Sequence, residues 1–203
     1  TAVWKHIKSL RALGLAINAV AGQGYRLRHP LELLDETVIR SELSAAGSSR
    51  LKKIELLVSV DSTNSWLQTG PPDAMAGTVV LAEGQTAGRG RRGNPWVSPF
   101  ACNVYFSLCW KFEAGVGELG CLPLVVALSA ASALQRLGLD GHKIKWPNDV
   151  LLNERKLAGC LVEVQGDASG PCYAVIGVGI NVRMPPEAAD MERIDQPWTD
   201  VAS

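Results

Sequence analysis

The stretch HKIKWPNDVLLNERKLAGCLVEVQGDASGPCYAVIGVGINV, residues 142–182, decides the fold class. It contains four mostly apolar segments: HKIKW, DVLLN, KLAGCLVEVQG and CYAVIGVGINV. Pro-Asn, Asn-Glu-Arg and Gly-Asp-Ala-Ser-Gly sequences separate them, and such residues are typical of turns. The stretch therefore predicts four strands joined by short turns.

The chain before this stretch adds three more strands, KKIELLVSV, GTVVLAE and NVYFSLCW. The sequence DSTN at 61–64 predicts the start of a helix, because all four residue types cap helix N-termini and Trp66 and Leu67 follow. The apolar run 119–137 predicts a longer helix. Several strands with a few helices predict an α+β fold with a mixed sheet.

Composition narrows the class of protein. Of the 203 residues 47% are hydrophobic, which is enough for one sizeable core, and a formal net charge of zero excludes a polyelectrolyte. The five cysteines are scattered without C-x-x-C spacing, which predicts reduced thiols in a cytoplasmic protein. The run 119–137 predicts a core helix, not a membrane span, because polar residues and a proline interrupt it: Pro123, Ser129, Ser132, Gln135 and Arg136.

Positive charge is concentrated in two zones. Residues 1–31 carry Lys and Arg but no acid, and so do residues 84–112. Two basic zones in a neutral protein predict two anionic partners.

The first basic zone resembles half of a DNA-binding motif. Residues 3–13 have helical spacing, and residues 15–28 predict a hairpin, so residues 1–30 match the recognition helix and wing of a winged helix-turn-helix. An amphipathic helix and hairpin with a solvated basic face is the alternative. We expect residues 31–50 to be a linker and 51–203 a second domain, and the candidate DNA contacts are Lys5, Lys8 and Arg11.

The second basic zone contains GRGRRG at 88–93. Glycines let backbone N–H groups approach a ligand, and arginines offer planar forks to phosphate or carboxylate. The spacing is neither a Walker A loop nor a dinucleotide fingerprint. The segment predicts an anion-binding loop, and a mobile basic loop without function is the alternative.

Three further segments are weak signals alone. KWPND at 145–149 places Lys145 and Asp149 around a rigid proline turn, although it could be a turn with a surface ion pair. RKLAG at 155–159 opens a strand with cations that are usually solvated. GVGIN at 177–181 permits either close approach of a ligand or tight packing.

Together and in this order, DSTN, GQTAGRGRRG, Trp96, SP at 98–99, KWPND, RKLAG and GVGIN resemble the biotin protein ligases. The resemblance covers residues 51–203 and implies their catalytic fold, which is related to class II aminoacyl-tRNA synthetases. The basic helix and hairpin are similar to the winged domain of the bifunctional bacterial members. The family's small C-terminal SH3-like domain is expected to be absent from this chain.

The resemblance implies a two-step reaction. Biotin and MgATP give biotinyl-5′-AMP, and a lysine of biotin carboxyl carrier protein then takes the biotin. It also implies repression at operator DNA, a homodimer once the adenylate is bound, and no membrane partner. Mg²⁺ would arrive with ATP and not in a cage of protein ligands.

The resemblance also implies roles for individual residues. The biotin-binding set is Ser62, Thr63, Asn64, Gln85, Gly88, Arg89, Gly90, Arg91 and Lys156. The adenylate-binding set is Arg89, Arg91, Trp96, Lys145, Asn148, Asn181 and Trp198. The catalytic set is Arg91, Lys145, Asp149 and Lys156.

Two other functions remain open on sequence. A lipoate–protein ligase shares the fold and the adenylation chemistry, but the GRGRRG loop with KWPND favours biotin. A biotin-sensing repressor without ligase activity would not need the cations, yet Arg89, Arg91, Lys145 and Lys156 are all present.

Overall fold

The computed structural model of the chain describes residues 2–185 and 191–203. Its helices are α1 (Ala2–Ala12), α2 (Glu36–Glu42), α3 (Ala45–Arg50), α4 (Thr63–Leu67), α5 (Pro72–Met75) and α6 (Leu122–Arg136). Its strands are β1 (Ile17–Val20), β2 (Gly24–Leu27), β3 (Lys53–Leu57), β4 (Thr78–Ala82), β5 (Val104–Phe112), β6 (His142–Lys145), β7 (Asp149–Leu152), β8 (Arg155–Gly166) and β9 (Cys172–Ile180). Short 3₁₀ helices lie at Arg91–Gly93, Val116–Cys121 and Met191–Arg193.

Seven strands form one mixed sheet in the order β3-β4-β5-β9-β8-β7-β6. β3 and β4 run parallel, and the remaining neighbours pair antiparallel. The four strands predicted from residues 142–182 are β6 to β9, which lie side by side. The α+β class with a mixed sheet is confirmed.

The two faces of β8 and β9 pack against different helices. Side chains alternate between the faces of a strand. Val178 and Ala158 face α6, whereas Val175 packs with Leu67 of α4 on the other side. Cross-strand pairing of β8 with β9 therefore puts one set of residues on the α4 face: Gly159, Leu161, Glu163, Gly177 and Gly179.

Helix α6 covers the opposite face of the sheet. Its buried residues, Ala127, Ala131 and Leu134, pack against Leu157 and Val150. The segment Val116–Arg136 is long and apolar enough to cross a membrane by length and composition alone. In the fold, one side of α6 packs against β6, β7 and β8, whereas Val125 and Leu128 on its other side are exposed. The predicted core helix is therefore buried along one side only.

The N-terminal unit consists of α1 and the β1–β2 hairpin, and both elements were predicted. The hairpin pairs Ile17 with Leu27 and Val20 with Gly24. No residue of α1 is buried, and Trp4 is 55% exposed. The apolar stripe read from the sequence of this helix is thus open to solvent here.

The segment predicted as a linker, residues 31–50, contains two short helices. Asp35 caps α2 and Ser44 caps α3, each by accepting backbone N–H groups of the first turn. The backbone N–H of Leu34 donates to Glu83 Oε1 at 2.6 Å, which attaches the segment to the end of β4. The domain boundaries themselves stay a prediction.

Candidate functional site

Two glycines of β9 leave room for neighbouring side chains to lie against the sheet at the base of the site. A Cβ on Gly177 would lie 2.1 Å from Asn64 Oδ1, and one on Gly179 would lie 2.4 Å from Trp96 Cε2. Both distances are far below van der Waals contact, so only glycine fits these positions. The GVGIN segment therefore admits two side chains of the site itself, Asn64 and Trp96, against the sheet.

One end of the site is a network of hydroxyl and amide groups. Ser62 is the N-cap of α4, which orients Thr63 and Asn64 toward the sheet. Thr63 donates to Gln85 Oε1 through its backbone N–H at 2.9 Å and its hydroxyl at 3.2 Å. The Ser107 hydroxyl contacts Asn64 Oδ1 at 2.6 Å and Thr63 Oγ1 at 2.7 Å. We call Ser62, Thr63, Asn64, Gln85 and Ser107 the amide end.

Most of the bonding capacity at the amide end is already used. Asn64 Nδ2 donates to Leu161 O at 3.3 Å and to Glu163 Oε2 at 2.8 Å, which occupies both of its hydrogens. Gln85 Nε2 donates one bond, to Ser98 Oγ at 2.9 Å, and has a second hydrogen. The amide end thus keeps a fixed arrangement with a few sites open to a neutral polar ligand.

The other end of the site carries charge. Lys156 Nζ lies 3.0 Å from Asp149 Oδ2, and these side chains are only 16% and 14% exposed. Lys145 is the antiparallel partner of Asp149 across β6 and β7. The guanidinium of Arg91 donates to Asn148 Oδ1 at 2.9 Å. We call Arg91, Lys145, Asp149 and Lys156 the cationic end.

Two buried polar atoms at the cationic end lack a protein partner. Within the described part of the chain, Asp149 Oδ1 and Trp96 Nε1 are buried and make no hydrogen bond. The ring of Trp96 lies under Lys156, whose Nζ is 5.3 Å from the ring centroid. Buried polar groups are normally satisfied, so these atoms suit a ligand that can hydrogen-bond to them at this end.

The Gly/Arg loop closes over both ends. Trp96 N donates to Gly88 O at 2.8 Å and Gly90 N to Asn94 O at 2.7 Å, so residues 88–96 form a small hairpin. Arg89 reaches the amide end, where it donates to Glu163 Oε2 at 2.7 Å. Arg91 reaches the cationic end through Asn148. The two arginines therefore anchor the loop at opposite sides of the site.

These residues surround a cavity of about 440 Å³. A volume of this size suits a small-molecule ligand. Twelve of the predicted site residues line it: Ser62, Thr63, Asn64, Gln85, Arg89, Gly90, Arg91, Trp96, Lys145, Asn148, Asp149 and Lys156.

Gly88 lies behind the lining, where a Cβ would meet Trp96 O at 2.4 Å. Asn181 and Trp198 line a smaller adjoining cavity of about 60 Å³, together with Trp96 and Lys156. Asn181 Nδ2 donates to Thr199 O at 3.0 Å, so part of its role is to hold the segment after Trp198 in place.

Cys160 also borders the main cavity, but its thiol donates to Pro123 O of α6 at 3.2 Å, on the opposite face of the sheet. Burial raises the pKa of this thiol to about 11, and the charge of Asp149 adds to the shift, although Arg91 and Lys156 oppose it. The thiol is therefore protonated at neutral pH and is a poor nucleophile. Among the described residues no group of three or more His, Cys, Asp and Glu could hold a metal ion.

The sequence did not assign Ser107 or Glu163 to the site. Ser107 is a fully buried hydroxyl in the mostly apolar strand β5. Glu163 follows Gly159 by four residues and so shares its face of β8. The polar residue in a mostly apolar segment and the four-residue spacing are both visible in the sequence, but only the sheet order shows that Ser107 and Glu163 contact Asn64.

The predicted DNA contacts lie on α1. Lys8 Nζ is 5.6 Å from the centroid of the Trp4 ring. Arg11 donates through Nη2 to the carbonyl oxygen of Ile17 at 2.6 Å and so braces the hairpin. No contact tests whether Lys5, Lys8 and Arg11 bind DNA, and that role stays a prediction.

Comparison with known proteins agrees with this geometry. Residues 56–181 match the biotin/lipoate A/B protein ligase family, and residues 1–26 match a helix-turn-helix (HTH) domain. The bifunctional ligase/repressor BirA of Salmonella typhimurium is 41% identical over 197 residues, which are 97% of this chain and 59% of that protein. The chain thus spans about three fifths of the length of such curated relatives.

Solved structures show the same catalytic fold. The biotin protein ligase of Aquifex aeolicus in complex with biotin and ATP is 32% identical with a TM-score of 0.60, covering 74% of this chain and 60% of that one. The Leishmania major ligase in complex with biotinyl-5-AMP is also 32% identical, with a TM-score of 0.59 and coverage of 74% and 64%.

Proposed function

This chain belongs to the biotin/lipoate A/B protein ligase family, and we propose that it activates biotin with ATP to biotinyl-5′-AMP and transfers biotin to a lysine of biotin carboxyl carrier protein. One observation carries the proposal. A neutral hydrogen-bonding end and a cationic end line a single cavity that the Gly/Arg loop covers.

The amide end suits the ureido ring of biotin. That ring offers two N–H donors and one carbonyl acceptor and carries no charge. Asn64 Oδ1 can accept a further bond, and the second hydrogen of Gln85 Nε2 can donate one. The fixed arrangement of these groups lowers the entropy lost on binding.

The cationic end suits adenylation. A carboxylate oxygen of biotin attacks the α-phosphorus of ATP, an O–P bond forms, and the bond to pyrophosphate breaks. The reaction brings two anions together and moves negative charge onto phosphate oxygens. Lys156, Lys145 and Arg91 line this end of the cavity. Preorganised cations are effective stabilisers of such charge.

Adenylation needs no protein nucleophile, and the cavity supports that reading. The thiol of Cys160, which borders the cavity, points to Pro123 of α6 and is held protonated by burial. The loop keeps water from the mixed anhydride until an amine arrives.

Transfer to the acceptor needs a base. The acceptor amine attacks the anhydride carbonyl carbon, the amide bond forms, and AMP leaves. Asp149 is the acidic side chain among the described residues that line the cavity. We assign it to orient or deprotonate the incoming lysine, and its unpartnered Oδ1 would help to hold the Mg²⁺ that neutralises phosphate charge when MgATP binds.

We further propose a second function, repression at operator DNA through residues 1–30, by a homodimer that forms when the adenylate is bound. The match to a helix-turn-helix domain and the exposed basic helix α1 favour it. From these proposed activities we infer a cytoplasmic location.

Pyrophosphate exchange into ATP tests the ligase proposal and separates biotin from lipoate. We expect exchange that depends on biotin and does not occur with lipoate. Exchange with lipoate alone would assign the chain to the other branch of its family. Biotin binding without any exchange would leave a sensor and overturn the ligase.

A further inference from the structure

Glu163 is a carboxylate on the cavity side of β8 that none of the recognisable motifs contains. Its Oε2 accepts two bonds at once, from Asn64 Nδ2 at 2.8 Å and from Arg89 Nη2 at 2.7 Å. Asn64 belongs to the amide end, whereas Arg89 belongs to the loop. One oxygen atom therefore connects the amide end to the Gly/Arg loop.

The bond to Asn64 fixes the orientation of that amide. An ionised carboxylate can only accept, so the atom of Asn64 that faces Glu163 must be the nitrogen. Oδ1 then faces Ser107 and keeps one lone pair for a ligand. Without the carboxylate, the amide could turn over and present a donor where an acceptor is needed.

The bond to Arg89 fixes the loop. Among the described residues, Arg89 is the arginine of the loop that has a carboxylate partner, because Arg91 bonds to an amide. The Glu163 side chain is 28% exposed, so this ion pair is accessible to salt. Gln68 provides Arg89 with a second, longer contact at 3.4 Å.

We propose that Glu163 is a positioning residue that couples recognition of biotin to closure of the Gly/Arg loop. It holds Asn64 in the acceptor orientation and holds Arg89 over the amide end with the same oxygen. The proposal rests on the proposed ligase function for the identity of the ligand, but its loop component does not.

Glu163→Gln is the direct test, because it keeps the shape and removes the charge. We expect biotin affinity to fall about tenfold, since charge-assisted hydrogen bonds are the stronger class. The kcat of pyrophosphate exchange at saturating biotin should change less than about twofold, because the residue does not touch the reacting atoms. Calorimetry and the exchange assay measure the two effects.

Amide hydrogen exchange of residues 88–96 in the ligand-free protein distinguishes the two roles. A merely structural role of Glu163 would leave the exchange rates of the loop unchanged. We expect faster exchange in Glu163→Gln, and we expect added salt to speed exchange in the unsubstituted protein but not in the variant. Glu113→Gln, which removes the partner of the exposed Lys111, is the matched control and should change neither loop exchange nor biotin affinity.

Arg89→Gln keeps the proposal testable if Glu163→Gln folds poorly, because it removes the same ion pair from the loop side. The two substitutions together should speed loop exchange little more than Glu163→Gln alone. Additive effects, or unchanged biotin affinity and loop exchange in Glu163→Gln, would overturn the proposal. If the unsubstituted protein binds no biotin, the proposed function fails while loop exchange still decides the role of Glu163.

Discussion

The two ends of the cavity differ in how many of their polar groups already have partners within the protein. At the amide end, Thr63 and Asn64 are buried and already bonded to Gln85, Ser107 and the sheet. At the cationic end, one oxygen of the Asp149 carboxylate has no hydrogen-bond partner among the described residues. Arg91, Lys145 and Lys156 line the cavity beside it. The first end is complete before a ligand arrives, whereas the second is complete only with one.

The difference matches two kinds of ligand chemistry. A neutral ring is recognised by dipoles that must be placed in advance, because each bond to it is weak. A phosphate or carboxylate is strongly attracted to cations and can replace an internal partner such as Asp149. Substitutions at the cationic end should therefore affect rate, and those at the amide end should affect affinity.

The largest effect is expected from Lys156→Ala. This change removes a cation from the point where negative charge develops and leaves Asp149 buried without a partner. Biotin-dependent pyrophosphate exchange should fall about a hundredfold or more, with a smaller loss in biotin affinity. Lys143→Ala, which removes an exposed lysine paired with Glu154, is the control. Normal exchange in Lys156→Ala would show that the lysine takes no part in adenylation.

A smaller effect is expected from Arg91→Ala. Its guanidinium holds the loop to Asn148 at the cationic end, so the adenylate should dissociate about tenfold faster, with a smaller loss in biotin affinity. Stopped-flow release of labelled biotinyl-5′-AMP measures this. Arg136→Ala on the far face of α6 should release it normally. If Arg91→Ala does too, the loop assignment is wrong.

Thr63→Val tests the amide end with the shape of the side chain kept. The change removes a hydroxyl that bridges Gln85 and Ser107, which leaves buried groups unsatisfied. The free energy of unfolding should fall by about 1–3 kcal/mol and biotin should bind about tenfold more weakly. Denaturation and calorimetry measure these, with Thr86→Val on the exposed surface as the control. A loss of exchange rate at saturating biotin instead would break the division between the ends.

The smallest effect concerns Glu83, a buried carboxyl just after β4 that accepts the backbone N–H of Leu34 at 2.6 Å. Burial raises the pKa of its carboxyl, and the N–H of Leu34 only partly opposes this. The folded state thus holds the proton more tightly than the unfolded state, so this group's contribution to stability is lost as pH rises from about 4.5 through the folded pKa.

Glu83→Gln should therefore gain stability relative to the unsubstituted protein over that interval, as followed by denaturation between acidic and neutral pH. Asp35→Asn should show the opposite trend, because backbone bonds from Val38 and Thr37 lower the pKa of Asp35. That carboxylate contributes stability that is lost as pH falls through its folded pKa. Parallel pH profiles for the two variants would refute this account of Glu83.

Much of the site could be predicted because its motifs lie at element ends. DSTN opens α4, KWPND turns between β6 and β7, and the loop follows β4, so local patterns place each one. Their convergence on one cavity depends on the sheet order, in which β9 inserts between β5 and β8. Local sequence carries no signal for that insertion.

Other features depend on contacts that are distant in sequence. Ser107 and Glu163 gain their roles by meeting Asn64 from strands 43 and 99 residues away. Helix α5 was not predicted, because its short PPDAM segment has too few residues for a helical period. The glycine pattern of GVGIN was ambiguous until Asn64 and Trp96 were seen against it.

The most direct test of the account is whether the cavity makes and keeps the acyl-adenylate. The protein is incubated with biotin and MgATP, separated from free ligands by gel filtration, and analysed for bound nucleotide. We predict stoichiometric biotinyl-5′-AMP on the protein. When biotin carboxyl carrier protein is added, the biotin should move to that protein and AMP should be released. Biotin retained alone, with no adenylate formed at saturating ATP, would contradict the account.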